Sequence, residues 1–186
     1  DRSTSRLAPR DEDDGHDEEH HHHGPVTLKW RRHNTRFHGV VRDLGPFVEQ
    51  LQLSAGYTDW NHTEMEGAEI GTRFFNKQFV YRGTFTQRRK GRLDGSFGFW
   101  GMTRRFDAQG AEAIAPKVSQ NSIALFALEE VSLDRVRLQF GGRLESNRYA
   151  PNGLPSLSFT GASASAGIFV PLWKDGAAVL NYMHYN

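Results

Sequence analysis

Between Leu51 and Leu144 the chain repeatedly alternates apolar and polar side chains, and it does so over runs too long for an ordinary soluble sheet. Leu51, Leu53, Ala55 and Tyr57 share one parity, and Gln50, Gln52, Ser54, Gly56, Thr58, Trp60 and His62 share the other. Farther on, Val136, Leu138, Phe140, Gly142 and Leu144 interleave with Arg135, Arg137, Gln139, Arg143 and Glu145. A period of two is the signature of a strand, because successive side chains point to opposite faces. Strands of soluble sandwiches usually run to about 5–6 residues. A strand that crosses a bilayer at a tilt needs about 9–11. The pattern therefore predicts an all-β fold, a transmembrane antiparallel β-barrel.

Bulk composition is compatible with this. The mean hydropathy of the 186 residues is -0.64. No run approaches the roughly 18 apolar residues of a membrane-spanning helix, a test that barrel strands do not face because only every second residue meets lipid. There is no Cys. The chain opens on Asp1 without a charged-then-apolar signal segment, and reads as an internal piece of a longer protein. Formal net charge is +1, yet residues 11–23 hold seven acids and no Lys or Arg, so the remainder is distinctly basic.

In chain order, residues 1–25 read as a low-complexity, His- and acid-rich external loop, closed by Gly24-Pro25, and residues 26–186 as barrel. About eight strands are expected, over 26–42, 49–62, 72–87, 92–106, 122–131, 135–148 and 158–170, with a last one beginning at Ala178. In the third, Phe75, Phe79, Tyr81 and Phe85 share a parity that Lys77 interrupts, and a Lys near an interface snorkels. In the run Ser122–Val131, Phe126 and Leu128 suit lipid while Ile123 and Leu125 fall on the opposite face, which leaves its register open, and periodicity alone also permits a short helix there. Long connections at 63–71, 107–121 and 149–157 alternate with short ones at 43–48, 88–91, 132–134 and 171–176, as external loops and periplasmic turns do in outer-membrane barrels. Bulky Arg, Gln and Trp on the inner face suit a lumen wider than eight strands enclose.

Several segments follow one another in an order that resembles a known family. They are Asp59-Trp60-Asn61-His62-Thr63-Glu64-Met65-Glu66, Gly71-Thr72-Arg73-Phe74-Phe75-Asn76, Phe106-Asp107-Ala108-Gln109-Gly110-Ala111-Glu112-Ala113, Ala124-Leu125-Phe126-Ala127-Leu128-Glu129-Glu130 and Gly141-Gly142-Arg143-Leu144-Glu145. Together they resemble the mid-barrel of TonB-dependent outer-membrane receptors, and among these the zinc-uptake members with a His- and acid-rich external loop. The resemblance implies that these residues are about eight strands of a barrel of about 22. Such barrels hold an N-terminal plug and are driven by an inner-membrane energy-coupling complex. Plug, coupling box and terminal aromatic strand have no counterpart here, and Ala111 stands where the family carries an acid, which weakens a metal role for Glu112.

Two constellations carry metal chemistry. The first lies in the tract 11–23, where His16, Asp17, Glu18, Glu19, His20, His21, His22 and His23 supply the imidazole nitrogens and carboxylate oxygens that Zn²⁺ accepts. The neighbouring acids concentrate divalent cations around them. A solvated acidic loop with incidental histidines is the alternative, and four His between acids and Gly-Pro make a poor engineered tag. The second is His62 with Glu64 and Glu66, whose spacing of two puts all three on the lumen face at the external mouth, where a polar rim is the competing account. His33, His38 and His184 are isolated and read as structural, and Asp59, sharing parity with Leu53 and Tyr57, belongs at the interface. Nothing supports catalysis: there is no Gly-x-Ser-x-Gly elbow, no phosphate-cradling loop and no His-Glu-x-x-His. The expectation is a non-enzymatic outer-membrane transporter of a metal ion, with zinc as cargo and no permanent cofactor. Its partners are outer-membrane lipid and the TonB energy-coupling complex, not nucleic acid. A receptor for a siderophore or other chelate, its path lined by Trp60 and Trp100, is the first alternative. A small metal-binding β-protein that transports nothing is the second.

Overall fold

The computed structural model describes residues 2–6, 26–110, 113, 115–173 and 175–186. Among these are nine strands and no helix. They are β1 Arg2–Arg6, β2 Val26–Arg42, β3 Val48–Glu66, β4 Glu69–Gln87, β5 Leu93–Gly110, β6 Val118–Ser132, β7 Arg137–Pro151, β8 Leu157–Pro171 and β9 Ala177–Tyr185. Each is antiparallel to the next, and all lie in one sheet in chain order, with β1 and β9 at its two edges.

The register continues the sequence parity across the sheet. One rung runs through Val41, Leu51, Phe85, Phe97, Ala127, Gly142 and Ala164. The next runs through Gly39, Leu53, Gly83, Phe99, Leu125, Leu144 and Ala162. Both are apolar throughout, and the rings on this face touch across strands: Phe85 stacks on Phe97 at 5.1 Å between centroids, and Tyr81 meets Phe99 at 6.2 Å. Such cross-strand aromatic pairs stabilise a sheet by a few tenths to about 1 kcal/mol each.

This register resolves β6. Leu125 lies between Phe99 and Leu144, and Ile123 between Gly101 and Ser146, so Ile123, Leu125 and Ala127 extend the apolar face. Phe126 and Leu128, expected to face lipid, are on the other side. There Phe126 lies under the guanidinium of Arg82, 4.7 Å from its ring centre.

The described strands form one sheet with little buried apolar core. Among the described residues Ala124 is the one buried hydrophobic side chain, and its fully or nearly buried companions are the polar Thr72 and Ser122. In β7 the more covered face carries Arg143, Glu145 and Asn147, and in β6 it carries Ser122, Ala124 and Phe126, while Ile123 is 54%, Leu125 58% and Leu144 60% exposed on the other.

Three further departures from the sequence reading concern chain ends and connections. The acidic segment 63–71 is not a loop: β3 runs on to Glu66, and Gly67-Ala68 alone connect it to β4. Gly67 has φ +59, the left-handed conformation a tight hairpin turn demands and glycine adopts freely. Gly71 is skipped by a register shift between Glu64 and Met65, a β-bulge. The connections expected over 107–121 and 149–157 shrink to residues 111–117 and 152–156, so the contrast between the two ends is weaker than the composition suggested. Residues 2–6, expected within the external loop, form β1 and pair with residues 27–31.

Candidate functional site

The first constellation, His16 to His23 with its acids, lies outside the described residues. Its attachment points are nevertheless fixed. Arg6 pairs with Thr27, so β1 ends and β2 begins at the same end of the sheet as the Gly67-Ala68 turn. Val26, the first described residue after the tract, pairs with Glu66, Leu28 with Glu64, and Trp30 with His62. Arg6 and Val26 therefore lie at the same end of the sheet as the second constellation.

His62, Glu64 and Glu66 share one face of β3, as their spacing requires. His62 Nε2 stands 3.6 Å from Glu64 Oε1, beyond hydrogen-bond length, and is a buried nitrogen with no hydrogen-bond partner. Its ring is held by aromatic edges, with Trp60 at 5.6 Å and Phe74 at 5.7 Å between centroids. Trp60 and Phe74 come from adjacent strands on the same face, and sequence reasoning passed over Phe74 because its parity opposes that of Phe75, Phe79 and Phe85. Glu66 is exposed at the hairpin end, opposite Glu69 across the turn. Among the described residues no three His, Asp or Glu side chains are placed to share a metal ion. The structure joins His62 to Glu64 and leaves Glu66 apart at the rim.

Below this pair the same face carries a ladder of polar contacts. Gln120 donates to the Tyr149 hydroxyl at 3.1 Å, and Ser122 donates to Asn147 Oδ1 at 2.5 Å. Asn147 donates in turn to Glu145 Oε1 at 2.8 Å, and Arg143 Nε donates to Glu145 Oε2 at 2.9 Å. Nearby, Arg104 Nε donates to Asn76 Oδ1 at 2.6 Å, and Thr58 Oγ1 to Asn34 Oδ1 at 2.8 Å. Arg143 also lies over Trp100, 5.7 Å from the ring. Neighbouring side chains thus satisfy much of this face, which is otherwise suited to contact with water.

The opposite face places Asp59 and Lys77 together at 3.7 Å, directly beyond the apolar rungs. Both follow from parity: a charge on the apolar parity of each strand finds its counterpart across the pair. No protein-family model matches the chain, and no curated protein matches it either.

Proposed function

We propose that this chain is a segment of a transmembrane β-barrel in a bacterial outer membrane, where it serves the active uptake of a metal ion. The observation that carries this reading is the reversal of polarity. Side chains such as Leu125 and Leu144 stand open on one face, while Arg143, Glu145, Asn147 and Ser122 interlock on the other. In lipid the exposed apolar face is solvated favourably, and a sheet closed by further strands leaves no backbone group unpaired. The polar ladder then lines a water-filled lumen.

Zinc is the cargo this reading favours. The tract with His16, Asp17, Glu18, Glu19 and His20–His23 supplies weak, multiple ligands at one end of the sheet. The His62–Glu64 pair at the same end offers an imidazole nitrogen and a carboxylate for a captured ion moving inward, with Glu66 at its entrance. Transport would draw on an energy-coupling complex of the TonB kind, and nothing in the reading requires a permanent cofactor or an enzymatic step. Arg82, over Phe126 on the lumen face, favours a second cargo, an anionic metal chelate, because a cation facing the lumen attracts an anion.

Zinc titration of the full-length protein in detergent tests the choice, comparing wild type with a deletion of residues 11–23 and with His62→Ala. Capture at the tract and handover at the mouth predict that zinc binding falls on deletion and falls further when His62→Ala is added. Unchanged zinc binding in both would reject the free ion as cargo in favour of the chelate.

A further inference from the structure

Just beyond the apolar rungs, the outward face changes character abruptly. Lys29 and Arg31 on β2, Arg73 and Lys77 on β4, Arg105 on β5 and Arg148 on β7 all project from it, and all are exposed. Among the described residues Asp59 and Asp107 alone oppose them on the same part of that face, and Asp59 is engaged by Lys77. The opposite face at this level carries no comparable excess, so the basic girdle belongs to the surface that the Proposed function turns towards lipid.

Within the girdle lies a cleft of about 460 Å³. Its apolar side is formed by Tyr57 and Phe79, its cationic side by Lys77 and Arg105, and Thr103 and Asn121 add hydroxyl and amide donors. Lys77 pairs directly with Arg105 across β4 and β5, which holds two like charges side by side. Like charges opposite one another destabilise a strand pair; Asp59, 3.7 Å from Lys77 on its other side, offsets one of the two and leaves Arg105 for a further anion. A guanidinium fork and an ammonium, flanked by hydroxyl and amide donors, match the oxygens of a phosphate. The rings below match the first methylenes of an acyl chain.

We infer that the Lys77–Arg105 cleft binds the phosphate headgroup of an anionic membrane lipid, with Tyr57 and Phe79 against its acyl chains. The inference rests on the membrane reading, since only a bilayer delivers a headgroup at the edge of an apolar band. The lipid would brace the projecting ends of β3–β6 and neutralise the charge repulsion between β4 and β5.

The test uses the full-length protein in neutral detergent micelles, titrated with short-chain phosphatidate, short-chain phosphatidylcholine and inorganic phosphate. Phosphatidate is expected to bind, phosphatidylcholine far more weakly. Each of Lys77→Gln and Arg105→Gln should weaken phosphatidate by about five-fold and the double variant by about 25-fold. Arg82→Gln, which removes a cation from the other face, should leave it unchanged. Equal binding of inorganic phosphate would overturn the lipid assignment, and phosphatidate binding indifferent to the double variant would overturn the site. Flotation of wild type with phosphatidylcholine vesicles separates the two readings: failure to float sinks the membrane reading itself, whereas flotation without phosphatidate selectivity sinks the headgroup site alone.

Discussion

Leu125 and Asn121 lie on one strand and one face, four residues apart, yet they occupy different environments. Leu125 sits amid Phe99 and Leu144, and Asn121 sits beside Thr103 and Arg148 at the start of the polar zone. An Arg on the lipid face costs about 2–4 kcal/mol at the bilayer midplane and about 0–1 near its edge. Leu125→Arg is therefore expected to lower stability in lipid vesicles by that larger amount and Asn121→Arg by little, measured by urea titration of tryptophan fluorescence. Equal costs would remove the basis for a lipid-facing band. Gly98 is constrained differently: a Cβ there would overlap the Gly83 carbonyl oxygen and come within 2.8 Å of Phe126 Cζ. Because one of these obstacles is backbone, Gly98→Ala should cost about 1–3 kcal/mol in the same titration. Parity made the faces of most residues legible in the sequence. It failed in the run Ile123–Leu128, where both parities are apolar, and only pairing with Phe97 and Leu144 decides which side faces out.

At the scale of elements, the existence of β2 to β9 was legible, and that of β1 and the strand lengths were not. On the membrane reading, both faces of a strand meet water beyond the apolar band, so alternation vanishes there and a projecting strand has the composition of a loop. That is why Thr63–Gly71 read as an acidic connection although β3 and β4 run through it to a turn at Gly67-Ala68. The same loss of contrast hid β1, whose Arg-Ser-Thr-Ser-Arg sequence has no apolar face at all. The candidate site inherits the problem: Trp60, His62 and Glu64 follow from spacing along one strand, but Trp30 and Phe74 join them by cross-strand register. The short turn makes a sharp prediction. Gly67→Val forces a β-branched residue into φ +59 and should destabilise the β3–β4 hairpin by about 1–2 kcal/mol. Amide hydrogen exchange would then rise in 60–75 and not in β7–β8; uniform exchange would mean that the turn contributes nothing local.

From β3 to β9 the apolar band does not follow the hydrogen-bonded rungs; it slants. Counted from the rung of Leu51 and Ala164, the first polar side chain on the outward face is four same-face positions up in β3, at Asp59. It is three up in β6, at Asn121, and two up in β8, at Thr160. In β9 it is His184, on the starting rung itself. The lower edge slants the same way, from Leu51 in β3 to Val170 in β8, three positions below Ala164. If this band is the imprint of a flat hydrocarbon layer, the strands must cross that layer at an angle set by the slant. Two to four same-face positions over five to six strand spacings, at about 3.3 Å per residue and 4.8 Å between strands, correspond to about 30–45°. Tilts of about 35–45° are those at which sheets close into membrane barrels, a convergence that neither the strand lengths nor the composition imposes. Polarised infrared spectroscopy of the full-length protein in oriented bilayers measures the angle directly. A mean strand tilt near 40° is the expected result, whereas strands within about 15° of the bilayer normal would show that the slant has another cause and that the band is not shaped by a membrane.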